Sequence, residues 1–390
     1  MGQFVSPKKI YYGEGSLGKL EDILLELNVQ NVFLLADPIL KEIGVIQPIL
    51  GLLESKRVEV VLDTNVIPEP TLEVGNQVVE KIRNSKPQLV IGIGGGSALD
   101  LAKAAAVLAE NEGSIEDYLN LSGSKKFINK GLPKVLIPST AGTGAEVTDI
   151  SVFSLEDTKD VITHEFLLAD YAIVDSVLTY TLPPRVTAAS GIDAFTHALE
   201  AYTSKNATPL TDTLALDAMS RIVPNIRRAV WNGEDKAARD QMSLGSLFAG
   251  LSFYNAGVAG VHALAYPLGG LFKIPHGESN AVLLPYVYDQ IWPACLDKMV
   301  KVAEIFKIPS EGKTERLLVQ EVIESLLDLV GDVGLPTTLD EYKIQRSDIK
   351  ILAENGIKQK RLLNRSPKPL TFEMIEQIYL NAYEGVLKNR

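Results

Sequence analysis

The chain changes its hydrophobic rhythm once. Up to about residue 178, short continuous apolar runs alternate with segments of helical length. The runs are NVFLLAD (31–37), RVEVVLD (57–63), PQLVIGIG (87–94) and PKVLIPS (133–139), with helix-length stretches between them at about 38–55, 71–85 and 97–111. Unbroken runs rich in β-branched residues and closed by turn residues predict strands buried on both faces. Their alternation with helices predicts a parallel α/β sheet. From residue 179 the period is helical throughout, as in LTDTLALDAMSRIVPNIRRAVW and TERLLVQEVIESLLDLVG. The double proline at 183–184 marks a hinge or a helix start. The expected architecture is an α/β domain over 1–178 and an all-α domain over 179–390, with no internal repeat or low-complexity tract.

A length of 390 residues fits two domains better than one, and 46% hydrophobic with 22% charged residues is a globular composition. A net charge of -11 turns the chain away from nucleic acid and from polybasic membrane contact. The single cysteine, Cys295, excludes a disulfide framework and a thiolate zinc cluster, and fits a reducing compartment. The N-terminal MGQFVSPKKIYYG lacks the apolar core of a signal peptide, and no apolar run has membrane-spanning length. A cytoplasmic location is expected.

Candidate chemistry begins at GIGGGSALDLAKAAAVLA (92–109), where a buried strand runs into Gly94, Gly95 and Gly96 and a helix follows. Bare glycine backbone lets a pyrophosphate approach, and free amides at a helix start suit a dianion. Ser97 is expected to cap that helix, with Asp100 three residues on completing a capping box. The spacing is not G-x-G-x-x-G, since Ser97 stands at the third glycine, and a glycine-rich tight turn is the alternative reading. A second loop, IPSTAGTGAEVT (137–148), also follows a strand and offers Ser139, Thr140, Thr143 and Thr148 where parallel sheets bind ligands. Asp37 closes the first run; its spacing reads as a helix-start signal rather than as a ribose ligand.

Four histidines occur in the chain. In GIDAFTHALEAY (191–202), Asp193 and His197 lie four apart on one helical face, a spacing that lets both reach one metal. His262 lies in GVAGVHALAYPLGG and His276 in KIPHGESNA. A carboxylate with three imidazoles suits Fe²⁺ or Zn²⁺, although packed core positions are the alternative for each histidine. His164 has no partner pattern and is expected to be structural or at the surface. Phe253 and Tyr266 are candidates for a substrate pocket or for plain core.

GGGSALDLAK, STAGTGAEVT, GIDAFTHALE and HALAYPLGG…PHGESNA follow one another in the order and spacing of the iron-containing alcohol dehydrogenase family, which the chain resembles from near residue 5 to near residue 300. The resemblance implies that Asp193, His197, His262 and His276 hold one divalent metal, iron or zinc. It implies that Gly94 to Ser97, with Asp100 nearby, hold a cofactor pyrophosphate, and that Ser139, Thr140, Thr143 and Thr148 line the rest of an NAD site. By the same resemblance Asp37 faces the adenosine ribose, Lys159 lies near a cofactor ribose, and Leu178 packs on the cofactor. Three departures stand out. Tyr266 replaces a histidine proposed as a proton relay in many members, so the relay falls to Tyr266, water or a cofactor hydroxyl. Glu69, in IPEPT, replaces an amide that contacts the cofactor in some members; Glu165 also stands where a proline is usual.

The implied activity is hydride transfer between NAD(H) and a small primary alcohol or diol, or the matching aldehyde. The two domains then become a dinucleotide-binding domain and a metal- and substrate-binding domain. The alternatives are a glycerol dehydrogenase-like polyol enzyme, a metal-free maleylacetate reductase-like enzyme, a dehydroquinate synthase-like lyase, a non-catalytic dinucleotide-binding protein and a transhydrogenase-type oxidoreductase. The intact Asp/His set speaks against the metal-free and non-catalytic readings, and apolar flanks in place of a Lys/Arg cluster speak against the lyase. The expected partners are a small alcohol or aldehyde and a second copy of the chain, a homodimer first, without nucleic acid or membrane.

Overall fold

The computed structural model describes residues 2–155 and 159–388. The chain forms two compact units, one over Ser6–Tyr180 and a second from Thr181 onward that includes the segment up to Val5.

The first unit is a six-stranded parallel sheet. Its strands are β1 (Lys9–Tyr12), β2 (Asn31–Ala36), β3 (Glu59–Asp63), β4 (Leu89–Gly94), β5 (Lys134–Pro138) and β8 (Tyr171–Val174), in the order β1-β8-β5-β4-β2-β3. An antiparallel hairpin, β6 (Ile150–Ser154) with β7 (Lys159–Thr163), stands apart from the sheet. Side chains alternate between two cores. Val32, Leu34, Ile91, Ile93 and Ile137 join α1 (Lys19–Leu27), α2 (Pro38–Glu42) and α3 (Gln47–Ser55) on one face. Phe33, Leu35, Val90 and Leu136 join α4 (Leu72–Ser85) and α5 (Gly96–Leu108) on the other. Burial on both faces is why these strands read as unbroken apolar runs. The stretch 38–55, expected as one helix, is two: Gly44, at φ +78, turns the chain between α2 and α3.

The strand order reverses its direction at β2. From β2 the chain leaves through α2 and α3 to β3 on one side, then returns through α4 to β4 on the other side of β2. Neighbouring strands β2 and β4 are thus followed by connections on opposite faces, a topological switch point that opens a crevice at their carboxyl ends. Asp37 stands at one lip and Gly94 at the other.

The second unit has no strand among the described residues. Its α-helices are α6 (Pro184–Thr203), α7 (Pro209–Trp231), α8 (Lys236–Ala256), α9 (Gly260–Phe272), α10 (His276–Ile291), α11 (Leu296–Ile305), α12 (Glu315–Asp332), α13 (Ile349–Gly356), α14 (Lys360–Leu363) and α15 (Phe372–Glu384). Pro183 and Pro184 form the N-cap and first turn of α6, so the double proline starts a helix. From Gly191 to Thr203 every residue of α6 is buried, because α7, α8 and α10 pack around it. Any polar side chain on that stretch must find partners inside the bundle. No single helix among the described residues is long and apolar enough to cross a membrane.

Candidate functional site

In the helical unit, three buried polar residues of α6 form one stripe: Asp193, His197 and Glu200 recur at i, i+4 and i+7. His262 arrives from the first turn of α9 and His276 is the first residue of α10. One donor atom from each of Asp193, His197, His262 and His276 lies within 4.8 Å of every other. Asp193 Oδ1 is 3.8 Å from His197 Nε2 and 3.7 Å from the Nε2 of both His262 and His276. Four ligands placed tetrahedrally at metal distances of about 2.1 Å are roughly 3.4 Å apart, so the set fits one ion after a small contraction. The donor chemistry, one carboxylate and three imidazole nitrogens, fits Fe²⁺ or Zn²⁺.

Burial alone would raise the Asp193 carboxyl, but the imidazoles of His197, His276 and His262 and the Asn280 amide outweigh it and hold the group below its ordinary range. The His197 ring stacks with Phe253 at 4.2 Å and with His262 at 4.6 Å. His276 is the open ligand, its side chain 32% exposed. The Tyr266 ring lies 6.2 Å from that of His276.

Two residues at this centre were not singled out from the sequence. Glu200 is 1% exposed. One of its oxygens accepts the Val261 amide at 2.6 Å and the other pairs with His262 Nδ1 at 2.6 Å. Val261 N belongs to the first turn of α9, where amides have no helical acceptor, so one carboxylate both caps α9 and fixes the ring that α9 carries. Asn280 sits one turn after His276. Its Nδ2 donates to Asp193 Oδ1 at 2.7 Å and lies 3.1 and 3.3 Å from the Nε2 of His262 and His276. Its Oδ1 is buried without a hydrogen-bond partner. Lone pairs thus converge on the amide's weakly positive end, as they would on a cation. Both residues were accessible as patterns: Glu200 extends the Asp193/His197 stripe, and Asn280 repeats the four-residue step from His276.

The parallel-sheet unit carries the other expected site residues. Gly94 has φ +153, and a Cβ there would stand 2.6 Å from Ala98 Cβ and 3.1 Å from Asp37 Cβ. A Cβ on Gly96 would meet Thr143 at 2.9 Å. These contacts explain two of the glycines by close approach of the loops. Ser97 does not cap the helix as expected: Gly95 is the N-cap, and no side chain caps it. Ser97 Oγ instead accepts the Glu69 amide at 3.2 Å. The capping box with Asp100 is absent, because Asp100 is drawn behind the helix. Its carboxylate pairs with Lys103 at 2.8 Å and accepts the Val152 amide at 3.0 Å. Lys103, fully buried, also donates to Ala145 O, to Thr148 Oγ1 and to Ile150 O. Thr148 therefore supports its loop from behind.

Ser139, 3% exposed, ties its loop to the glycine turn through its amide to Gly94 O at 2.9 Å, and Thr140 and Thr143 flank Gly95 and Gly96. Asp37 is half-buried; its amide bonds Ile93 O, and its carboxylate caps α2 through the Ile39 amide at 3.3 Å. Lys159, on β7, pairs with Glu69 at 2.6 Å. Leu178 is 4% exposed and belongs to the core with Ile93, Ile137 and Ile173. His164 caps a short 3-10 turn through Phe166 N and contacts Phe127 and Phe166 edge-on, as structural a role as expected. The N-terminal stretch FVSPKKIYY ends in β1, which pairs with β8 of the same sheet.

Residues 7–176 match the model of the iron-containing alcohol dehydrogenases, and residues 187–383 match that of the C-terminal region of the Fe-containing alcohol dehydrogenase family. The chain is 50% identical over 387 residues to long-chain-alcohol dehydrogenase 1 of Geobacillus thermodenitrificans, covering 99% of this chain and 98% of that one. A crystal structure of a 1,3-propanediol oxidoreductase superposes with a TM-score of 0.94 at 31% identity, over 98% of this chain and all of the other. A sulfoacetaldehyde reductase from Bifidobacterium kashiwanohense in complex with NAD⁺ superposes at 0.84 with 28% identity, over 98% of each chain. With the two family models matched over most of its length, the chain belongs to the iron-containing alcohol dehydrogenase family, oxidoreductases acting on CH–OH groups.

Proposed function

We propose that this chain transfers hydride between NAD(H) and a primary alcohol or its aldehyde, with Fe²⁺ as the resident metal of Asp193, His197, His262 and His276. The observation that carries the reading is that buried four-donor set, which the bundle gathers from three helices. The ion supplies Lewis acidity toward a substrate oxygen, and NAD supplies the carbon that takes the hydride.

The chain's own groups do the remaining work. Asp193 contributes the negative charge of the set, while Glu200 fixes the His262 tautomer so that Nε2 presents its lone pair. Phe253, stacked on His197, closes one wall with apolar surface. Tyr266, beside the partly exposed His276, is the residue we assign to moving the hydroxyl proton toward solvent. On the sheet unit, the amides of Gly94 to Ser97 and the α5 dipole suit the pyrophosphate, and Asp37 suits the adenosine ribose. Ser139, Thr140, Thr143 and Lys159 complete that lining, with Asp100, Thr148 and Leu178 holding it from behind. The NAD⁺ complex of the sulfoacetaldehyde reductase supports the choice of dinucleotide.

A short apolar alcohol or diol is the substrate class favoured by the sequence. The relative at 50% identity is named for long-chain alcohols and the propanediol oxidoreductase for a diol, so chain length is the open variable. The test is metal analysis of anaerobically purified protein, followed by primary alcohols from ethanol to hexadecanol, 1,3-propanediol and glycerol with NAD, and matching aldehydes with NADH. Turnover of a primary alcohol by protein holding one iron or zinc per chain is expected; turnover of none of them would overturn the reading. Preference for glycerol would favour the polyol alternative. A cytoplasmic homodimer completes the proposal. The lone Cys295 fits a reducing compartment, and β1 lies at the sheet's edge, where a second copy can dock. Light scattering returning a monomer of 42.4 kDa would remove the dimer.

A further inference from the structure

The segment 67–71 is a strap held at its middle to two neighbours. On one side the Glu69 amide donates to Ser97 Oγ in the first turn of α5. On the other, Pro70 O accepts the Ser154 amide at 2.9 Å from β6. Between these fastenings Glu69 adopts φ +53, a left-handed conformation that costs a non-glycine residue about 1 kcal/mol. That backbone directs its carboxylate to Lys159 Nζ, at 2.6 Å. The ammonium is nearly enclosed, with its side chain 9% exposed, while the carboxylate keeps 35% exposure. A full negative charge is thus held beside the helix start suited to a dianion, on the one lysine that the hairpin offers there.

We infer that Glu69 sets cofactor affinity: its carboxylate competes with the phosphates of a dinucleotide for the Lys159 ammonium. The inference rests on the cradle reading of Gly94 to Ser97. A pyrophosphate arriving at the α5 N-terminus brings about two negative charges next to a carboxylate already in place. Either Lys159 turns toward the phosphates and leaves Glu69 uncompensated, or it stays and leaves the phosphates without it. Both outcomes weaken binding and speed release of the nucleotide. An uncharged amide at residue 69 keeps the strap's backbone bonds while freeing the lysine.

The test is Glu69→Gln in the full chain, with binding of NADH, ADP and adenosine followed by NADH fluorescence and its displacement. The variant is expected to bind NADH and ADP about five- to thirtyfold more tightly, with adenosine unchanged, since only the phosphates feel the charge. Phosphate ligands bound no tighter than by the wild type would overturn the inference. Equal tightening of adenosine would also overturn it, by pointing to relaxation of the strap. Glu69→Asn, whose side chain tolerates the left-handed backbone, gives the same comparison should the glutamine variant not fold. A wild type that bound neither NADH nor ADP would fail the cofactor reading itself. A wild type that bound both, with an unchanged variant, would fail this inference alone.

Discussion

Glu200 Oε2 lies 2.6 Å from His262 Nδ1, and the partner oxygen of the same carboxylate takes the Val261 amide. The pair binds α6 to α9 and decides which ring nitrogen of His262 is left with a lone pair. Glu200→Gln preserves the shape but sets an amide N–H against the ring N–H or against the Val261 amide. Metal affinity is expected to fall about 10- to 100-fold, measured by competition with a chelator, while the circular dichroism spectrum stays that of the wild type. Unchanged metal affinity would show that His262 needs no such support.

Glu146 predicts a pH dependence of stability. Burial pushes its carboxyl up to about 7, from an ordinary value of 4.5. Below the ordinary value the group is neutral in both states and costs nothing. As pH rises from about 4.5 toward 7, the unfolded chain ionises it first, so stability falls, by about 3 kcal/mol at most. Glu146→Gln removes that loss. In urea denaturation the variant is expected to gain on the wild type at pH 8 relative to pH 5. An equal difference at both pH values would contradict the prediction.

Asp37 tests cofactor choice. On the proposed reading, a carboxylate at the end of β2 would accept hydrogen bonds from both ribose hydroxyls of NAD and would repel the 2′-phosphate of NADP in a partly enclosed place. Repulsion plus one lost hydrogen bond amounts to roughly 2–4 kcal/mol, or about thirty- to a thousand-fold in kcat/KM. Asp37 also caps α2, so its removal lowers stability on either view. What separates the views is selectivity. Asp37→Gly is expected to narrow the NAD/NADP ratio by about an order of magnitude or more. A wild type preferring NADP, or a variant with an unchanged ratio, would contradict the assignment.

The strands β2, β4 and β5 were legible because burial on both faces leaves no polar alternation to confuse with loop. Asp193 and His197 were legible as a pair because they share a helical face, whereas only the family resemblance joined His262 and His276, on α9 and α10, to them. What escaped the sequence was of two kinds. β8 is four residues of YAIV, too short to stand out, and the β6–β7 hairpin lies outside the sheet whose pattern was followed. The helix cap at Ser97 was misplaced because local propensity favours serine there, whereas the Glu69 amide, 28 positions away in sequence, claims its hydroxyl. Pairs such as Glu69 with Lys159, 90 positions apart, exist only once the fold brings them together.

The central claim is that Asp193, His197, His262 and His276 hold the metal on which turnover depends, on a unit that does not carry the nucleotide cradle. The direct measurement is metal content, NADH binding and alcohol oxidation of one preparation, before and after chelation, beside His197→Ala. Chelation is expected to abolish turnover and Fe²⁺ or Zn²⁺ to restore it. His197→Ala is expected to lose the metal while keeping most NADH binding, because Gly94 to Ser97 belong to Ser6–Tyr180. Full turnover by a demonstrably metal-free sample, or a full metal complement in His197→Ala, would contradict the account.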